Sequence, residues 1–221
     1  MRGLLTAMCL GVLSPSLTGV AQAQDPTSRF SLEFGPVLGY YRPYGTFEPA
    51  SVYFTSLPYA PDDLKGPARG GEGRVWFGRR AGLELRASVA SSTLPSVSTP
   101  AGLTRPIPAR VYTLTAQALL TILGTPSGRQ IWVGAGAGIS RHGGEAYARH
   151  RSVTDIGPTA GFGARFPLTH RIHATAGLNA FTYMFDMPMP PAFRLNPGSL
   201  QRGRQLDVLV HAGVSWAITG H

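Results

Sequence analysis

Sulfur chemistry is nearly absent from this chain, with Cys9 the only cysteine among 221 residues. One thiol cannot close a disulfide within the chain, so cross-links contribute nothing to its stability. Lysine is as scarce: Lys65 stands alone, and arginine carries almost all of the formal +9 charge. Charged residues make up 14%, well below the ~25% usual for soluble domains. No apolar run reaches the roughly 20 residues that a membrane-spanning helix requires. What is abundant is Gly (28) and Pro (19), the two poorest residues for helix interiors. An apolar share of 43% nevertheless excludes a solvated, disordered chain. The basic excess suits nucleic acid and anionic lipid phosphate equally. Compartment must decide between them.

The N-terminus points to export. Arg2 supplies a positive start, Leu4 to Leu13 form a short apolar run, and Ala21-Gln22-Ala23 is a small-x-small cleavage site. Ser14, Pro15 and Ser16 stop the run too early for an anchor. Cys9 lies inside the run rather than after it, which argues against a lipoprotein. Residues 1–23 are therefore expected to be a signal peptide, and 24–221 one mature domain without cysteine.

That domain alternates with period two, the signature of β-strands. Phe30, Leu32, Phe34, Leu38 and Tyr40 share one face, with Ser31, Glu33, Gly35 and Gly39 on the other. Similar runs cover 83–89, 112–120, 131–140, 159–166, 172–180 and 206–218. An eighth, weaker strand is expected over Glu72 to Gly78, with Val75 and Phe77 on one face. Pro36 and Pro158 fall inside strands, where a missing N–H predicts a bulge or a strand end.

Two features give these strands a setting. They are long for a soluble protein and match the roughly 9–11 residues that cross a bilayer as a tilted strand. The face that alternates with the large apolar residues is built from Gly, Ser and Thr with a few ionisable groups. Apolar outside and small-polar inside is the pattern of a barrel in lipid. The connections agree. The odd ones, about 41–71, 91–110, 141–154 and 186–204, are long. The even ones, Arg79-Arg80, Gly124 to Gly128 and Pro167 to His170, are short. Such alternation predicts an all-β fold: an eight-stranded antiparallel up-and-down transmembrane β-barrel, with both termini and the short turns periplasmic.

Over about Phe30 to Ile218 the chain resembles the OmpA/OmpX-type small outer-membrane barrels. The resemblance implies a location in the outer membrane of a diderm bacterium. It also implies contact with outer-membrane lipid and lipopolysaccharide, delivery by periplasmic chaperones and the barrel-assembly machinery, and a monomeric state. It departs from the family at the C-terminus, where Trp216 is followed by Ala217 to His221 rather than closing the chain.

Catalytic and metal chemistry are poorly represented. Asp207, His211 and Ser215 share an inward face, but four residues along a strand is roughly 13 Å, too far for a nucleophile and its base. His142, His150 and His170 fall in connections and His173 and His211 point inward, with no metal-binding spacing. Gly134, Gly136 and Gly138 alternate within a strand with no helix to receive a phosphate. No cofactor or metal is expected, and nucleic acid is excluded as a partner by export. An eight-stranded barrel leaves an interior just wide enough for side chains. Glu33, Arg74, Glu84, Arg86 and Arg165 are expected to form one interior salt-bridge cluster closing it. Arg141, Arg149, Arg151, Arg202 and Arg204, in the long connections, are candidates for lipopolysaccharide phosphates through the bidentate guanidinium fork. The expected role is non-catalytic, structural or surface-interacting. A small pore or transport barrel is the first alternative, and a lipid A modifying enzyme the second.

Overall fold

The computed structural model describes residues 30–45, 65–94, 107–125, 128–144, 154–187 and 201–219. Eight strands follow one another in chain order: β1 (Phe30–Gly45), β2 (Gly66–Phe77), β3 (Ala81–Leu94), β4 (Ile107–Gly124), β5 (Gln130–Gly143), β6 (Thr154–Pro167), β7 (Ile172–Met187) and β8 (Gln201–Thr219). Each pairs antiparallel with its neighbours, and β1 closes on β8, so the sheet is a barrel without an edge. The expected leader, residues 1–23, lies outside the described residues.

Period two decides the faces as expected. Leu38, Leu83, Leu85, Leu120, Ile156 and Val210 are exposed on the outer surface, between half and three-quarters of it open. Outside, Phe30, Phe34, Phe77, Phe166 and Trp216 ring the short-turn end, and Tyr40, Tyr44 and Tyr112 stand near the long-loop end. Aromatic girdles flanking an aliphatic band are what the two interfaces of a bilayer select. Phe34 and Trp216 touch, their ring centroids 6.4 Å apart across the β1–β8 seam.

The strands extend beyond the alternating segments. β2 starts at Gly66 rather than at Glu72, because Gly70, Gly71 and Gly73 carry no apolar signal, yet pair fully with β1 and β3. Likewise β1 runs to Gly45, β5 to Gly143, and β8 begins at Gln201. At the loop end backbone pairing continues where the apolar side chains stop, so hydropathy underestimates the strands there.

Neither proline produces a bulge. At Pro36 the β1–β8 ladder skips Gly35 and Pro36 and resumes in the same register, while β1–β2 pairing is continuous. At Pro158 the β6–β7 ladder ends at Thr159, although β6 stays paired with β5 down to Thr154. A residue in an antiparallel ladder directs its N–H to one neighbour only, so proline interrupts one side. Among the described residues the ladder shifts register instead between Thr121 and Leu123, where Ile122 and Leu123 both turn outward beside a short turn.

Candidate functional site

Inward-facing residues fill the lumen in three layers. At the short-turn end Trp76, Trp132 and Leu119 form an apolar cluster, the two indoles meeting edge to face at 5.7 Å. They fit because the opposing positions are glycine. A methyl group on Gly163 would strike the Trp132 indole, and one on Gly82 would crowd Trp76. Glu33 and Arg165 pair in the same layer, both almost fully buried. Gln130 donates to Thr121.

The middle layer is a ring of four charges on β2 and β3. Arg74 contacts Glu72 at 2.6 Å and Glu84 at 2.7 Å, and Arg86 contacts Glu72 at 3.1 Å and Glu84 at 2.8 Å. Each cation thus bridges both anions, and each anion both cations. The alternation of β2 and β3 makes this possible: Glu72 is the register partner of Arg86 and Arg74 of Glu84, so unlike charges stand opposite each other across the strands and two residues apart along each strand. Thr175, from β7, donates to Glu72 at 3.1 Å and ties the ring to the far wall. Gln117 bridges β4 to Thr159 on β6 at 2.8 Å. Closure and pairing are required together, since a buried ion without a partner costs several kcal/mol.

The third layer lies toward the long loops. Tyr183 donates to Asp207 at 3.0 Å, and its hydroxyl meets His142 Nε2 at 2.9 Å. Asp155 lies 3.5 Å from His142 Nδ1, and Gln205 donates to Asp207 at 3.1 Å. Phe181 stacks on Tyr183. Between this layer and the charged ring is a cavity for about one water, bounded by Tyr41, Arg86, Thr115, Asn179, Phe181 and Asp207.

The geometry departs from the single cluster expected over Glu33, Arg74, Glu84, Arg86 and Arg165. Arg74 is bound to Glu72 and Glu84 and not to Glu33, whose partner is Arg165 on β6. The indole pair separates the two groups: the Arg74 guanidinium lies 4.6 Å from the Trp132 ring and that of Arg165 5.9 Å from Trp76. Glu72 was missed, although its parity with Arg74 and Trp76 places it inward. His142 is likewise no loop residue, but a buried group at the end of β5. Tyr183 and Asp155 continue the inward parity of β7 and β6 past the apolar stretches at 172–180 and 159–166, where hydropathy carries no signal.

The five candidate surface arginines divide. Arg141 and Arg204 are exposed on β5 and β8, on strands rather than in loops. Arg202 is on β8 with its side chain undescribed, and Arg149 and Arg151 lie outside the described residues. Arg42, Arg69 and Arg110 are exposed on the same outer face and were not anticipated. Asp207, His211 and Ser215 are buried on one strand, and Asp207 accepts hydrogen bonds from Tyr183, Gln205 and Tyr41. Among the described residues no group of His, Cys, Asp and Glu is placed to hold a metal ion.

No protein-family model matches the sequence, and no curated protein matches it. Solved structures do match by shape. The outer membrane protein OprG of Pseudomonas aeruginosa aligns with a TM-score of 0.50 and 11% identity, over 86% of this chain and 96% of that one. The outer membrane protein AlkL aligns at 0.47 and 10%, over 94% and 98%. Ail, the attachment invasion locus protein of Yersinia pestis, aligns at 0.46 and 12%, over 85% and 99%. At such identities the likeness is one of fold.

Proposed function

We propose, from the premise that the chain has the fold of the small eight-stranded outer-membrane β-barrels, that it is a sealed, non-catalytic barrel acting through its outer surface. The lumen carries this reading. The ring of Glu72, Arg74, Glu84 and Arg86, above the Trp76–Trp132 pair, fills the interior where a channel would need water. The short turns face the periplasm and the long loops the exterior. A lipid A modifying enzyme would need an acid and base open to lipid, whereas Asp207, His211 and Ser215 are buried.

Two measurements on refolded protein test this. Unheated and boiled samples should migrate differently in detergent gels, because a closed ladder leaves no edge for detergent to open. In planar bilayers the same protein should pass no steady current. Steady conductance would replace the sealed reading with the pore, and identical migration would remove the membrane barrel itself.

Lipopolysaccharide is the proposed outer partner. Arg42, Arg69, Arg110, Arg141 and Arg204 stand on the outer face at the loop end beside Tyr40, Tyr44 and Tyr112. Guanidinium groups at that depth meet the phosphates of the outer leaflet. Replacing Arg110 and Arg141 together by glutamine should weaken lipopolysaccharide binding by about 1–2 kcal/mol at low salt. The difference should shrink as salt screens it. Equal affinity of variant and parent at low ionic strength would return these arginines to ordinary solvated surface.

A further inference from the structure

The opposite end of the barrel carries a second set of cations that the sealed-barrel reading does not use. Arg79 and Arg80 occupy the β2–β3 turn, Arg129 the β4–β5 turn, and His170 and Arg171 the β6–β7 turn, all five exposed. These turns are held firmly. The Arg80 carbonyl accepts from Thr121 N at 2.7 Å, and the Arg171 carbonyl accepts from Ala217 N at 2.7 Å. Thr125 N donates to the Arg129 carbonyl at 3.2 Å. The backbones of Arg80 and Arg171 are therefore tied to neighbouring strands and that of Arg129 to its own turn, while the side chains of all four arginines are exposed.

Among the described residues no carboxylate competes for them at that surface. Every carboxylate whose side chain is described, namely Glu33, Glu72, Glu84, Asp155 and Asp207, is buried in the lumen. The outer surface around the turns is instead apolar, with Phe30, Phe77, Phe166, Leu168 and Trp216 exposed. Cations set directly beyond an aromatic rim lie at headgroup depth. From this we infer that the short-turn rim is a binding collar for anionic phospholipid headgroups in the leaflet that surrounds it. The guanidinium forks of Arg79, Arg80, Arg129 and Arg171 hold the phosphates. The inference rests on the barrel sitting in a membrane as proposed above.

The chain contains its own reporter. Of its three tryptophans, Trp76 and Trp132 are sealed in the lumen and Trp216 is exposed on the outside at this rim. Trp216 also adjoins Ala217, whose amide binds the Arg171 turn. The full chain, folded into phosphatidylcholine vesicles, is compared with a small fixed fraction of phosphatidylglycerol or of phosphatidylcholine brominated on its acyl chains. Brominated phosphatidylglycerol should quench Trp216 more strongly, an excess of up to about fivefold, as one surface cation confers. The excess should vanish in high salt and in the combined Arg79→Gln, Arg80→Gln, Arg129→Gln, Arg171→Gln variant. That variant should keep its heat-dependent gel shift. Trp216→Phe should abolish the quenchable signal.

Equal quenching by the two lipids overturns the collar, as does an excess that survives the fourfold variant. Retention of the protein on peptidoglycan with equal lipid quenching would assign the turns to the cell wall instead. Quenching by neither lipid would mean that Trp216 does not face lipid, which brings down the membrane reading and the collar with it.

Discussion

Arg74→Ala should destabilise the folded barrel by about 3–5 kcal/mol, the cost of stranding a buried ion partner. Arg74 is fully buried and serves both Glu72 and Glu84, with its guanidinium also over the Trp132 ring. Its loss leaves Arg86 as the single cation between two carboxylates. Removing Glu84 as well restores one charge of each sign, Arg86 with Glu72. The Arg74→Ala, Glu84→Ala double variant should therefore cost less than the sum of the singles, by about 0.5–3 kcal/mol. Urea unfolding of both singles and the double in detergent measures this coupling. Additive losses within about 0.5 kcal/mol would mean that water hydrates each group independently, and the lumen would not be dry. The double variant also removes two large side chains from the charged layer, so its conductance should be recorded alongside the parent's.

Ala176→Arg acts on the other side of the wall and should cost about 2–4 kcal/mol. Ala176 is exposed on β7 between Ala164 of β6 and Ala212 of β8, on the apolar outer face. An arginine there must take its charge into hydrocarbon or thin the bilayer to reach water. The neighbouring residue fails differently. A methyl group on Gly177 would lie 2.7 Å from His211 Nε2 and 2.9 Å from the Phe162 carbonyl. Gly177→Ala is thus a crowding variant, worth about 1–3 kcal/mol. Unfolding in vesicles rather than micelles is the decisive measurement for Ala176→Arg, since only a bilayer imposes the penalty in full. If Ala176→Arg were neutral and a cysteine placed at 176 reacted only with aqueous reagents, β7 would be turned inside out.

Much of the barrel could be read from the chain alone because the side-chain period of a strand is two, and its consequence is local. Given Phe30, Leu32 and Phe34 against Ser31 and Glu33, only one face can meet lipid, whatever the neighbouring strands do. Strand number followed from seven clear alternating runs and a weaker eighth over Glu72 to Gly78, and the up-and-down order from the lengths of the connections between them. Parity also placed Glu33, Arg74, Glu84, Arg86 and Arg165 inside. Hydropathy fades before parity does: Glu72 stands among the glycines of β2, and His142, Asp155 and Tyr183 lie beyond the apolar part of their strands.

Partner choice was a different matter. Register alone leaves the choice open, since Arg74 stands directly opposite Glu33 on β1 and Glu84 on β3, yet its guanidinium goes to Glu84 and Glu72. Arg165 meets Glu33 across the lumen because closure of β1 on β8 brings β6 and β1 to the same depth. That depth depends on the stagger accumulated around the whole barrel, a property of no single strand. Direction inward or outward was written into each pair of residues, whereas the identity of each ion's partner existed only once the sheet had closed.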